Sequence, residues 1–306
     1  MPGQKKFNPE KDIPSLTGKV YFITGGTGGI GKETVLLLAR HQPEHIVFTG
    51  RDTRKGQSLI EEAKAIAPDV RVSFIPCDLV SLDSVKEGAT KFASLSSRLD
   101  VLVCNAGIMA VPPGLTKDGY EVQFGTNHLG HALLIKLLLP TLLRTAEEPN
   151  SDVRIITVAS NGHRYPPKGG ILFDSLRTTQ EDVISASLTR YSQSKLANVL
   201  YATEFARRYP NITSISLHPG IVNTGLADNS TGFTRAFVMV AVSWRLLTLE
   251  KGAHNSVWAS TADRTSFKNG AHYDPVGVLS KPGKDARDEG LGKKLWEWTE
   301  EELKKY

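Results

Sequence analysis

The chain has 306 residues, with 40% hydrophobic and 23% charged side chains. That composition excludes a wholly disordered chain and suffices for one large α/β unit or two small ones. Thirty-seven Lys and Arg against 32 Asp and Glu give a net charge of +5, spread along the chain without a basic block, so no nucleic-acid partner is expected. Cys77 and Cys104 are too few for a disulfide framework or a cysteine zinc site and fit a reducing compartment. The segment MPGQKKFNPEKDIPSLTGK has no apolar core and carries Glu10 and Asp12, unlike a secretory signal or an Arg-rich transit peptide. The apolar stretch 236–244 is far short of the ~20 residues that span a bilayer. A cytoplasmic protein without a transmembrane span is the expectation.

Strands and helices alternate along the chain. Residues 19–24 (KVYFIT) form a β-branched and aromatic run that ends at glycines, and the helical spacing of Ile30, Val35 and Leu38 follows. A second strand over 45–49 precedes a polar helix through Glu62 and Ala65. A third strand, 70–75, leads to a helix that Ser81 caps. A fourth strand, 99–104, is followed by a long helical segment from about Tyr120 to Leu143. Strands at 153–158 and 212–217 flank a helix over 189–208. Apolar runs alternating with helices imply βαβ units, hence a Rossmann-type doubly wound parallel sheet. The rhythm crosses the midpoint without a linker. The expected organisation is therefore an N-terminal extension over 1–16 and a single α/β domain over 17–306. Insertions at about 161–188 and 225–290 read as irregular, and loops at strand ends are where such a fold builds its substrate site.

After the first strand come Thr24, Gly25, Gly26, Thr27, Gly28, Gly29, Ile30 and Gly31. Glycines there let the backbone turn tightly and approach a pyrophosphate, whose charge sits at the N-terminus of the next helix. At the tip of the second strand, Arg51 precedes Asp52. An arginine suits the 2′-phosphate of NADP, whereas an acidic residue would take the ribose hydroxyl of NAD. Lys32 adds a second cation near that corner, and Asp52 either plays the NAD role or caps the next helix. NADP(H) is the expected cofactor.

Tyr191 and Lys195 are four apart, on one face of a helix. A free phenol, with a pKa near 10, is a poor base at neutral pH, and a nearby ammonium stabilises its phenolate. Such a tyrosine can protonate a carbonyl oxygen or deprotonate an alcohol.

With these motifs in order, the chain resembles the short-chain dehydrogenase/reductase family over roughly residues 17–275. The turn from Thr24 to Gly31 is similar to its cofactor turn, Asp78-Leu79 to its adenine contact, and Asn105-Ala106-Gly107 to the motif that supports sheet and cofactor. The resemblance makes Ser160, Tyr191, Lys195 and Asn127 the catalytic set. It implies that Ser160 positions the substrate oxygen, that Tyr191 is the acid or base, and that Lys195 lowers the tyrosine's pKa and holds the nicotinamide ribose. It implies further that Asn127 holds a water linking Lys195 to solvent, and that Pro219, Gly220, Val222 and Thr224 clamp the carboxamide. Asn127-His128-Leu129-Gly130-His131, Ser160-x-x-His163, His218-Pro219-Gly220 and the closing Leu295-Trp296-Glu297-Trp298 are similar to the retinol dehydrogenase and WW-domain oxidoreductase branch. So is the long spacing between Ser160 and Tyr191. No membrane anchor or WW module accompanies them, so retinoid specificity does not carry over.

His128, His131 and His218 read as packing residues, with no third ligand for a metal. His163 reads as a border of the substrate site. Phe233, Phe237, Met239, Val240 and Trp244, with Phe173, suggest a lipophilic carbonyl or alcohol substrate; core packing, a subunit contact or a peripheral membrane contact are the alternatives. An oligomer of identical chains is left open by the charge pattern. The rival functions are a non-catalytic NADP-binding sensor or scaffold and a membrane-peripheral interaction protein.

Overall fold

The computed structural model describes residues 7–222 and 247–306. Eight strands form one sheet in the order β3-β2-β1-β4-β5-β6-β7-β8, parallel except for the antiparallel edge strand β8. The strands are β1 (Val20–Ile23), β2 (His45–Gly50), β3 (Arg71–Pro76), β4 (Val101–Cys104), β5 (Arg154–Val158), β6 (Thr213–Leu217), β7 (His272–Asp274) and β8 (Val278–Ser280). The helices are α1 (Pro9–Asp12), α2 (Gly29–Ala39), α3 (Thr53–Ile66), α4 (Leu82–Leu95), α5 (Val122–Phe124), α6 (Gly130–Ala146), α7 (Ala186–Arg208), α8 (Leu249–Thr261) and α9 (Glu289–Glu302). A π-helical turn, Gly125–Leu129, joins α5 to α6. This is the Rossmann-like architecture expected.

The strands alternate between two hydrophobic layers because successive side chains point to opposite faces. Val20, Phe22, Leu102, Cys104 and Ile155 pack with Phe92, Leu133, Leu196 and Trp296 from α4, α6, α7 and α9. Tyr21, Ile23, Val101, Val103 and Ile156 pack with Leu37, Leu59, Val257 and Trp258 from α2, α3 and α8. With both faces covered, the strands read as continuous apolar runs. The closing helix α9 lays Trp296 on Tyr201 at 4.8 Å and Trp298 against Phe124 at 5.7 Å.

Two expectations change. Residues ahead of 17 are not merely an extension, since Ile13 and Leu16 enter the core beside the α2 layer. The segment 225–290 is not uniformly irregular: its described part, from 247, holds α8, β7 and β8. These strands are three residues long, too short to register as a period. The segment Val122–Ala146 has the length and apolarity of a membrane span, but it lies largely buried in this core. The lipophilic residues singled out between 233 and 244 lie outside the described residues.

In the sheet, β1 pairs with β2 on one side and β4 on the other. The chain reverses its winding there, and the crevice beyond the carboxyl ends of the strands is where this architecture places ligands.

Candidate active site

A cavity of about 570 Å³ opens at that crevice. Its near wall is the glycine turn. Gly25 has φ +69°, and a Cβ on Gly31 would stand 2.3 Å from the Gly25 carbonyl oxygen. Gly31 therefore does not line the cavity; it lets α2 close on the turn. Gly28, by contrast, borders the cavity, and a Cβ there would meet nothing within 4 Å. No side chain caps the first turn of α2. Unclaimed N–H groups facing open space at a helix N-terminus are what a phosphate requires. Gly25, Thr27, Gly29 and Ile30 share this wall.

Arg51 lies on the rim, exposed, where the cavity meets a second hollow lined by Thr27, Gly28, Asp52, Thr53, Arg54 and Lys55. Asp52 caps α3, its carboxylate accepting from the Arg54 and Lys55 N–H groups at 3.0 and 3.1 Å. Those bonds hold its pKa below the ordinary carboxylate value. Of its two expected roles, the cap is the one made. Lys32 does not join Arg51: its Nζ pairs with Glu62 Oε2 at 2.6 Å, one helix over, and it lines neither hollow.

Asp78 and Leu79, after β3, form the next stretch of wall. Asn105, Ala106 and Gly107, after β4, follow. Thr24 anchors them: its Oγ1 accepts from the Asn105 and Ala106 N–H groups at 2.9 and 3.0 Å, and its carbonyl accepts from Asn105 Nδ2 at 2.8 Å. Pro219, Gly220 and Val222 leave β6 on the same cavity. Gly220 needs its φ of +94°, with Leu247 packed where a Cβ would go. Thr224 lies outside the described residues.

Ser160, Tyr191 and Lys195 share the far wall. Ser160 lies two residues past the end of β5, and its Oγ accepts from the Gly162 N–H at 3.1 Å. Tyr191 and Lys195 project from α7, with Lys195 Nζ donating to the Val158 carbonyl at 2.9 Å. Burial lowers the Lys195 pKa to about 8. Burial raises that of Tyr191, and the neighbouring Ser160 hydroxyl pulls the other way. The protein's own groups therefore do not depress the phenol; desolvation outweighs them. Among the described residues, no three His, Cys, Asp or Glu side chains are placed to hold a metal ion.

The arrangement has counterparts. Residues 19–175 match the family described as short chain dehydrogenase. An uncharacterized oxidoreductase of Schizosaccharomyces pombe is 39% identical, over 94% of this chain and 86% of that protein. A short-chain dehydrogenase/reductase of Armillaria gallica is 38% identical, over 96% and 93%. This chain belongs to the short-chain dehydrogenase/reductase family. A solved protein of Mycobacterium paratuberculosis superposes with a TM-score of 0.74 at 31% identity, over 97% of each chain. The 3-ketoacyl-(acyl-carrier-protein) reductase of Brucella melitensis, solved with NADH, shares the fold at a TM-score of 0.66 and 20% identity, over 86% of this chain and 98% of that one.

Within this dehydrogenase, the remaining expected residues fall around the cavity rather than on it. Asn127 is fully buried in the π-helical turn. Its Nδ2 donates to the Ile108 carbonyl and Ser194 Oγ, both at 2.9 Å, and its Oδ1 accepts from the Ile108 N–H at 2.8 Å. That leaves no amide hydrogen for a water. His131 accepts the Thr24 hydroxyl at 2.8 Å and donates to the Asn127 carbonyl at 3.0 Å. His128 meets Thr299 Oγ1 at 3.0 Å, so both histidines pack as read. His163 is buried behind Ser160 and does not border the cavity. Phe173 lies against Trp298 at 6.0 Å under Lys294, on the α9 side and away from the cavity. Its aromatic character answers to packing there.

The sequence reading missed Ile108, Met109 and Thr126, which line the cavity, Ile108 and Met109 directly after the Asn-Ala-Gly motif. It also missed a buried polar network beneath them. Arg190, 1% exposed, sits 3.1 Å from Glu121 and donates to the Val111 carbonyl, while Gln123 accepts from the Ala110 N–H at 2.8 Å. These contacts hold the loop that carries Ile108 and Met109, including Ala110 at φ +52°. Adjacency to Tyr191 was the only signal for Arg190.

Proposed function

We propose that this chain is an NADP(H)-dependent oxidoreductase that reduces a ketone or aldehyde of a lipophilic small molecule, or oxidises the corresponding alcohol. The observation that carries the proposal is the placement of Ser160, Tyr191 and Lys195 on one wall of a cavity whose opposite wall is the glycine turn. Gly25, Thr27, Gly29 and Ile30 would hold the pyrophosphate against α2. Arg51 would meet the 2′-phosphate, with Arg54 and Lys55 across the adjoining hollow. Asp78 and Leu79 would border the adenine. Asn105, Ala106, Gly107, Pro219, Gly220 and Val222 would flank the nicotinamide half. When bound, the nicotinamide supplies or accepts the hydride.

The chain's own groups then orient and protonate. Ser160 Oγ already accepts from Gly162, so its O–H is free to donate to the substrate carbonyl oxygen and fix that oxygen beside Tyr191. Tyr191 delivers the phenolic proton in reduction and recovers it in oxidation. Lys195 keeps a cation next to the phenolate and within reach of the ribose. Asn127 ties the Ile108 backbone to α7, which holds the two sides of the site in register. The lining of Ile108, Met109, Val158, Ile221 and Val222 supports an apolar substrate, a ketone, aldehyde or alcohol with a hydrocarbon body. Residues 17–306 form the catalytic unit in this reading, in the cytoplasm.

Titration with NADPH and NADH, followed by tryptophan-to-nicotinamide energy transfer, tests the cofactor. Tight NADPH binding that Arg51→Asp weakens at least tenfold, with NADH unaffected, is expected, because the substitution would replace an attraction between opposite charges with a repulsion between like ones. Tyr191→Phe is expected to bind NADPH as wild type does and to lose reduction of aromatic ketones by about 10²-fold or more. Folded protein that binds neither cofactor would refute the proposal.

A further inference from the structure

We propose that His163 is a positioning residue that locks Ser160 in place by bridging its backbone to the loop leaving β8. The proposal rests on the reading of Ser160 as the group that orients the substrate oxygen.

His163 is 1% exposed and does not itself line the cavity, so it has no direct access to substrate. Its Nδ1 lies 2.6 Å from the Ser160 carbonyl oxygen, and its Nε2 lies 3.2 Å from the Gly283 N–H. A carbonyl only accepts and a backbone N–H only donates. The ring must therefore carry its hydrogen on Nδ1 and a lone pair on Nε2. The imidazole edge packs on His272 at 4.8 Å, which fixes the ring plane. Burial pushes the His163 pKa down, in keeping with the neutral ring that this bridge needs.

Both ends of the bridge are tight. The His163 backbone N–H also donates to the Ser160 carbonyl, at 3.1 Å. Gly162, inside the same turn, leaves only 3.1 Å between a notional Cβ and the Tyr191 ring. The turn is thus wedged between Tyr191 and the loop. On the other side, Gly283 packs against the Arg164 backbone, and Arg164 Nη2 donates to the Lys281 carbonyl at 2.9 Å. Releasing His163 would let the turn shift and carry the Ser160 hydroxyl away from Tyr191, and small misplacements of this kind are costly to turnover.

Three substitutions separate the two bonds. His163→Asn keeps a donor at the Nδ1 position, His163→Gln reaches the Nε2 position, and His163→Phe keeps a ring and makes neither bond. Ser160-Asn161 is the only Ser-Asn pair in the chain. Labelling with carbonyl-¹³C serine and ¹⁵N asparagine therefore gives one carbonyl-filtered amide signal, that of the Ser160 carbonyl, without any need for turnover. We expect the carbonyl resonance to move upfield in His163→Phe and His163→Gln and to stay near wild type in His163→Asn. In NADPH-dependent reduction of phenanthrenequinone, kcat should fall about five- to tenfold in His163→Phe, which loses both ends of the bridge, with the NADPH KM unchanged and with only partial recovery in His163→Asn, which keeps the Ser160 bond without the tie to Gly283. An unmoved carbonyl in His163→Phe, or a moved carbonyl with undiminished kcat, would overturn the proposal. If wild type reduces no carbonyl at all, the oxidoreductase reading fails, while the Ser160 resonance still decides whether the bridge exists.

Discussion

Lys195→Met should make the protein more stable and inactive, and the gain should depend on pH. Lys195 is 4% exposed and its ammonium is matched by one carbonyl, that of Val158. Burial takes its pKa from 10.5 to about 8, so keeping the side chain charged in the folded protein costs on the order of 3 kcal/mol at neutral pH. The sign follows from proton counting. Between pH 8 and 10.5 the unfolded chain holds a proton on this lysine that the folded chain has released, so wild-type stability rises with pH through that window. Below pH 8 the penalty is present in full. Methionine has similar bulk and no charge, and it forfeits only the bond to Val158, about 1 kcal/mol. Urea unfolding of wild type and Lys195→Met at pH 7, 8.5 and 10 reads the difference directly, because other titrating groups cancel between the two. The variant should lead by about 2 kcal/mol at pH 7, and the lead should vanish or reverse by pH 10. A stability difference that stays constant over that range would refute the argument that the site stores the cost of a buried cation.

Gly31→Ala should lower Tm and abolish NADPH binding together, since its Cβ would stand 2.3 Å from the Gly25 oxygen and 2.5 Å from Asn105 Nδ2; overpacking of this kind costs about 1–3 kcal/mol. Phe173→Ala should cost about 2 kcal/mol in urea unfolding by removing the ring that packs on Trp298 beneath Lys294, yet leave NADPH affinity unchanged. A shift in cofactor affinity would place Phe173 at the site after all.

What was legible in the sequence was what rests on local pattern. Six strands and the helices between them follow from apolar runs and capping residues such as Ser81, whose Oγ accepts from Ser84 N–H. The glycine turn is legible because its steric demands fall on consecutive residues. The strands β7 and β8 were not, since three-residue strands carry no period and the pairing of β7 with β6 is decided by distant chain. Lys32 was misplaced for a related reason. Its position beside the turn is a fact of sequence, but its partner Glu62 comes from α3, 30 residues on, and only packing sets the direction of a long flexible side chain. Phe173 erred in the same way, and the parts played by Arg190 and His163 are not legible until the fold brings Glu121 and Gly283 to them.

The two walls of the cavity are not independent. Thr24 Oγ1 accepts from Asn105 and Ala106, and its hydrogen faces His131 Nε2 at 2.8 Å, with the Val103 carbonyl a longer alternative at 3.4 Å. The Asn127 carbonyl can only accept, so His131 carries its hydrogen on Nδ1 and leaves Nε2 as the acceptor for Thr24. Burial holds His131 near a pKa of about 4, so the ring stays neutral and the tautomer stays fixed across physiological pH. Asn127 in turn grips Ile108 and, through Ser194, the helix that carries Tyr191 and Lys195. A continuous line of hydrogen bonds with determined directions therefore runs from the glycine turn to the Tyr191 helix. Asn127 serves this line from within the π-helical turn, its side chain bonded to Ile108 and its carbonyl to His131. A cofactor held by one wall and a proton donor held by the other must meet within tenths of an ångström, and this buried line is how the fold fixes their separation.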